Sequence, residues 1–91
     1  MTNKIKALHI LVDHEYEIND LQKKLEEGVS FEQLAQDYSN CPSGKEGGSL
    51  GEFGKGMMVA PFEKAAFELE VGMVSGPVKT QFGYHLIKRI S

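Results

Sequence analysis

The sequence predicts an α+β fold in which the two ends of the chain meet as central neighbours in one sheet. Three observations point to it. Lys6-Ala7-Leu8-His9-Ile10-Leu11-Val12 and the stretch Thr80 to Ile90, with Gly83-Tyr84-His85-Leu86-Ile87 at its heart, are short apolar runs near opposite ends, and neither alternates strictly. A strand that is apolar on both sides belongs inside a sheet with something packed on each face. Each run carries one histidine that shares its parity with small or aliphatic residues, Ala7 and Leu11 around His9 and Gly83 and Ile87 around His85. Side chains two apart line one face of a strand, so antiparallel neighbours in register set the two imidazoles side by side.

Between these runs the pattern changes to helical spacing and turn residues. Asp13, Glu15 and Glu17 suit a helix N-terminus, Ile18, Leu21 and Leu25 then recur on one face, and Gly28 stops the helix. Val29-Ser30-Phe31-Glu32-Gln33-Leu34 reads as a second start, with Ser30 as N-cap, Gln33 closing a capping box, and Val29 stapled to Leu34. Phe31, Leu34, Ala35 and Tyr38 are expected to face inward. From Ser39 to Gly51 the residues are those of a loop with little regular structure, and a long loop inside a compact domain tends to be functional.

Leu50 to Phe53 reads as a short strand turned by Gly54-Lys55-Gly56, and Pro61 opens a helix that buries Phe62, Ala65, Ala66 and Leu69. Met73 to Val78 is an extended piece that Pro77 confines to a sheet edge or bulge. Lys79 to Gly83 then reverses the chain. The order is strand, two helices, loop, strand, helix, edge strand, strand.

With 91 residues there is room for one domain spanning 1–91 and one modest core. A net charge of −3 with interspersed signs argues against non-specific nucleic-acid binding, and no basic stripe is interleaved with aromatics. Cys41 is the only cysteine, so no internal disulfide forms and a reducing, cytoplasmic setting fits. Met1-Thr2-Asn3-Lys4 runs into the first strand with no apolar leader, and no stretch approaches the roughly 20 apolar residues of a membrane span.

Four polar side chains, His9, Cys41, Thr80 and His85, are candidates to converge on one side of the sheet. Two satisfied core histidines are the plainer reading of the pair. A zinc site lacks CxxC or HxxxH spacing, so no metal and no cofactor is expected. A cysteine hydrolase needs a base and an oxyanion hole that Cys41-Pro42-Ser43-Gly44 does not specify. Gly47-Gly48 is not a phosphate loop, since no P-loop lysine follows it.

Several spaced motifs occur together in one order: His9 within Leu-His-Ile-Leu-Val, Gly47-Gly48-Ser49-Leu50-Gly51-Glu52-Phe53, Met58, Pro61-Phe62-Glu63 with Ala65-Ala66-Phe67, Gly76-Pro77-Val78, and Phe82-Gly83-Tyr84-His85-Leu86-Ile87. Together they resemble the parvulin family of peptidyl-prolyl cis/trans isomerases, over about Lys6 to Arg89. The resemblance implies an FKBP-like superfold: a four-stranded antiparallel sheet, first and last strands central, surrounded by about four helices. It also implies a catalytic network of His9, Cys41, Thr80 and His85, and a proline pocket of Leu50, Met58 and Phe62 with Phe82 at its rim. The family fills the Cys41 position with Cys or Asp, which argues against a covalent nucleophile.

Some parvulins read phosphoserine or phosphothreonine before proline through a basic loop after the first strand. Here that place holds Asp13-His14-Glu15-Tyr16-Glu17, with no Lys or Arg before Lys23, and carboxylates there repel a dianion. The expected activity is therefore a phosphate-independent, monomeric folding isomerase acting on proline-containing chains. The alternative is a catalytically weak peptide-binding chaperone module. A membrane-surface role through Lys4, Lys6, Lys88 and Arg89 is the weakest of the three.

Overall fold

The computed structural model describes residues 4–91; Met1-Thr2-Asn3, read above as a bare lead-in to the first strand, lies outside the described residues. Two apolar runs with no polar face need cover on both sides, and the chain provides it. Strands β1 (Lys4–Val12), β2 (Ser49–Gly54), β3 (Val78–Thr80) and β4 (Gly83–Arg89) form one antiparallel sheet in the order β2-β1-β4-β3, with the two apolar runs in the middle. Helices α1 (Glu15–Glu26), α2 (Phe31–Tyr38) and α3 (Ala60–Glu68) are joined by one 3-10 turn, Pro42–Glu46, inside the segment expected to lack regular structure.

The core divides by strand parity. Leu8, Ile10, Val12 and Leu86 pack with Ile18 and Leu21 of α1 and with Phe31, Leu34 and Ala35 of α2. Ile5, Ala7 and Ile87 on the other face pack with Phe53 of β2 and with Phe62 and Ala66 of α3. Both histidines stand on this second face. They are not directly opposed, as strict register requires: His9 pairs with Ile87 and Leu11 with His85, so the imidazoles meet on a diagonal. A one-residue slip would turn one ring to the other face, whereas a two-residue offset keeps both on the same side.

Other local expectations need correction. Ser30 caps α2 by accepting the Gln33 N–H, but the Gln33 side chain donates to Asp37 one turn on, leaving half a capping box. Tyr38 points outward at 46% exposure, with Lys24 Nζ 5.9 Å from its ring centre, because it ends the helix beside α1 instead of facing the sheet. The reversal before the last strand is tighter than expected. Strand β3 runs through Thr80, and only Gln81-Phe82 forms the turn. Gly83 closes it at φ +138°, where a Cβ would sit 2.5 Å from the Val12 carbonyl oxygen.

Candidate active site

The irregular segment after α2 is held on β1 at both ends. At its start, Ser39 Oγ accepts the Leu11 N–H at 3.1 Å and Asn40 N–H reaches the Leu11 carbonyl at 2.8 Å. At its end, the Gly48 carbonyl accepts the His9 N–H at 2.9 Å. Gly48 has φ +86°, and any Cβ there would run into the His9 carbonyl, so only glycine allows this approach. The segment is thus fastened along the edge of β1 beyond its last pair with β2, and from there Ser43 and Cys41 reach the face that carries His9.

Strand β2 contributes through a bulge. Lys6 pairs with Glu52 but Leu8 pairs with Ser49, which leaves Leu50 and Gly51 together opposite Ala7. Gly51 takes φ +68° at this irregularity. The extra residue re-aims Leu50 onto the histidine face.

The result is a groove of about 450 Å³ lined by His9, Leu11, Cys41, Leu50, Met57, Met58, Val59, Phe62, Phe82 and His85. Seven of the eight residues singled out from the sequence line it. Thr80 lies behind His85 instead. Leu11, Met57 and Val59 are additions that the sequence reading missed. Phe62 sits edge-on to both imidazoles, with ring centres 5.5 Å from His9 and 5.2 Å from His85. Phe82 is 58% exposed at the rim, consistent with its place in a turn.

At the floor of the groove runs a linear hydrogen-bonded chain. His9 Nδ1 and His85 Nδ1 are 3.1 Å apart, His9 Nε2 lies 3.1 Å from Ser43 Oγ, and His85 Nε2 lies 2.8 Å from Thr80 Oγ1. Thr80 Oγ1 also accepts the Phe82 N–H at 3.2 Å. All four ring nitrogens are engaged, and among the described residues no buried side-chain nitrogen or oxygen lacks a partner. The membership differs from the expected network. The Cys41 sulfur takes no part in this chain, and Ser43, which the sequence reading passed over, ends it.

The Nδ1 contact allows one proton between the rings. Two arrangements satisfy every partner: His9 donates at Nδ1 and accepts from Ser43 while His85 donates to Thr80, or the whole set reverses. Both rings are neutral in either. Burial, and secondarily the neighbouring His85, lowers the His9 pKa from 6.5 to about 4, and burial lowers that of His85 as well. Among the described residues no three His, Cys, Asp or Glu side chains gather as a metal site would require, and no helix is long and apolar enough to cross a membrane.

A paired-histidine floor beneath an apolar groove, on an antiparallel sheet with its terminal strands central, defines the rotamase class of peptide-bond isomerases. Residues 9–91 match the family described as PPIC-type PPIASE domain, and the chain belongs to that family, the parvulin-type peptidyl-prolyl cis/trans isomerases. It is 52% identical to foldase protein PrsA 4 of Bacillus cereus over 86 residues, which is 93% of this chain and 31% of that relative. The chain thus spans about a third of the length of such curated relatives. The crystal structure of PrsA from Bacillus subtilis superimposes with a TM-score of 0.95 at 49% identity, over 98% of this chain and 35% of that one. NmPin, the parvulin of Nitrosopumilus maritimus, matches end to end: TM-score 0.90, 51% identity, 100% of this chain and 99% of that one.

Proposed function

We propose that this domain accelerates rotation about Xaa-Pro bonds in peptide and protein chains without covalent chemistry and without requiring phosphate. The observation that carries the reading is the occupancy of the four imidazole nitrogens. Each is bonded to the other ring, to Ser43 or to Thr80, so none is free to remove a proton from Cys41 or from a substrate. The histidines instead act as a crossbar. Their chain ties the Cys41–Gly48 segment at one side to the Phe82 turn at the other, and so fixes the two walls between which the peptide lies.

Rotation is opposed by about 18–20 kcal/mol of amide resonance, which spreads charge over oxygen, carbon and nitrogen. Twisting removes that charge separation. Leu50, Met58 and Phe62 seat the pyrrolidine ring away from water, where the less polar twisted amide is relatively favoured, and Phe82 closes over it. His9, Cys41, Thr80 and His85 align the amide, the first, third and fourth through the bonded chain and Cys41 by lining the wall.

The turn and first residues after β1 carry Asp13, Glu15 and Glu17, with Asp13 and Glu15 exposed, and no Lys or Arg until Lys23. This favours apolar or basic residues before proline. The test is turnover on matched peptides with Glu, Leu, Arg or phosphoserine at that place, measured by exchange spectroscopy. Leu and Arg peptides are expected to lead, and a phosphoserine preference above about tenfold overturns phosphate independence. Acceleration by substoichiometric protein separates the isomerase from a chaperone that only holds peptide.

The same reading takes residues 1–91 as one unit acting as a monomer in the cytoplasm, with neither nucleic acid nor membrane as partner. Sedimentation and cell fractionation test the assembly state and the location.

A further inference from the structure

The wall of the groove that carries Met57 and Met58 is the segment between β2 and α3. Gly54 and Gly56 flank Lys55, and Gly56 adopts φ +89° with open space around it, so little besides hydrogen bonding limits the backbone there. Helix α3, which follows, has Val59 at its N-cap position and no side-chain cap, although Val59 itself lines the groove. Glu63, in the first turn of that helix, fills the gap from the other direction. Its Oε1 accepts the Gly56 N–H, reaching back past the helix start to the segment that holds the methionines. Helical side chains tilt toward the N-terminus, which brings a carboxylate at this place within reach of the segment and in a favourable position on the helix dipole. Two further contacts only close the segment on itself: the Met57 N–H donates to the Gly54 carbonyl at 3.4 Å, and the Gly54 N–H points at Met57 Sδ, 3.3 Å away.

We propose that Glu63 is a positioning residue of the proline pocket: by holding the Gly56 N–H it fixes the Gly54–Met58 segment so that Met57 and Met58 stand as the groove wall. Without that bond the segment samples other conformations, the methionines leave the wall for part of the time, and peptide binding weakens by the populated fraction. The chemical step on bound peptide is little changed. This inference rests on the isomerase reading above, and one set of measurements distinguishes the two.

Glu63→Ala, Glu63→Gln and Lys64→Ala are compared with the unaltered protein. Three readouts are taken: KM and kcat by exchange spectroscopy on a peptide with leucine before proline, Kd for that peptide by titration, and the Gly56 amide proton shift. Glu63→Ala is expected to raise KM and Kd about five- to tenfold with kcat within about twofold, and to move the Gly56 amide upfield as its carboxylate partner is lost. Glu63→Gln keeps an oxygen acceptor and is expected to restore both constants to within about twofold. Lys64→Ala, exposed one residue on, leaves all three readouts unchanged. Unchanged Kd and Gly56 shift in Glu63→Ala, or a Gln variant no better than Ala, overturns the tether. Absence of catalysis by the unaltered protein overturns the isomerase reading instead, while Kd and the amide shift still decide the tether.

Discussion

On one side of β1 and β4, Leu8, Ile10, Val12 and Leu86 are sealed beneath α1 and α2. On the other, Ala7, His9, Leu11, His85 and Ile87 alternate with them along the same two strands, but α3 covers only part of their length, and the uncovered part is the groove. The two faces share one backbone and differ in parity, so register decides which side chains are sealed and which border the groove. The closed face is expected to act on stability alone, whereas the open face serves both, through the second core around Phe53 and Ala66 and through the groove beside it.

Substitutions on the closed face therefore have the largest effect on stability and little on turnover per folded molecule. Ile10 is fully buried, and Ile10→Ala leaves a cavity that α1 and α2, each already packed, close only in part. A loss of about 3–4 kcal/mol is expected in urea unfolding, with kcat/KM unchanged once corrected for the folded fraction. A fall in kcat/KM of the folded protein by more than about threefold would break the division between the faces.

The open face contributes to stability through its histidines, and that contribution depends on pH. The unfolded chain binds a proton on His9 near 6.5, but the folded chain resists until about 4, so the unfolded state holds more protons between these values. Stability is thus full above the unfolded pKa and falls as pH descends toward the folded one, with His85 acting in the same direction. Between about pH 7 and about pH 5 the expected loss from His9 is about 2 kcal/mol, and His9→Asn should flatten the dependence by most of that amount. Equal pH slopes in the two proteins would mean that the imidazole floor is not desolvated as its burial implies.

Parity also explains what the sequence disclosed. The two apolar runs, the shared face of the histidines, the Ser30 cap and the Pro61 helix start are local patterns, and each was legible. The diagonal offset of His9 and His85 was not, because slipping one strand by two residues keeps every side chain on the same face of the sheet. Nor was Ser43. Its contact with His9 depends on where Ser39 and Gly48 fasten the intervening segment to β1, and those are long-range contacts that no local spacing encodes. Met57 and Val59 were missed for a similar reason, since both border turns whose paths are set by tertiary contacts. Tyr38 misled because helical periodicity continues to the last residue of α2, whereas the sheet it would cover does not.

Within the open face, the apolar wall and the polar floor should separate as well. Met58→Ala shortens a half-buried wall residue at little structural risk, since thioether side chains fill space that neighbours adjust to. A fall in kcat/KM of about tenfold is expected, equivalent to about 1.4 kcal/mol, with unfolding changed by less than about 1 kcal/mol. The reverse pattern, stability lost and turnover kept, would assign Met58 to the core and leave the proline pocket without its wall.

The two ends of the bonded chain offer the finest comparison. Thr80 Oγ1 serves both the His85 ring and the Phe82 N–H, is buried at 8% exposure, and links floor to rim. Ser43 Oγ serves only the His9 ring and is half-buried, so water can take its place when it is removed. Thr80→Val, which keeps the shape but orphans two partners, should therefore lower kcat/KM by roughly ten- to thirtyfold, and Ser43→Ala by only roughly threefold. Nitrogen-15 spectra of the imidazoles add the direction of the effect. Losing Thr80 removes a partner from His85 Nε2, losing Ser43 removes one from His9 Nε2, and each should bias the shared Nδ1 proton differently. If Ser43→Ala proves the more damaging, the chain is anchored at the Cys41–Gly48 segment, and the Phe82 turn follows the histidines without being held by them.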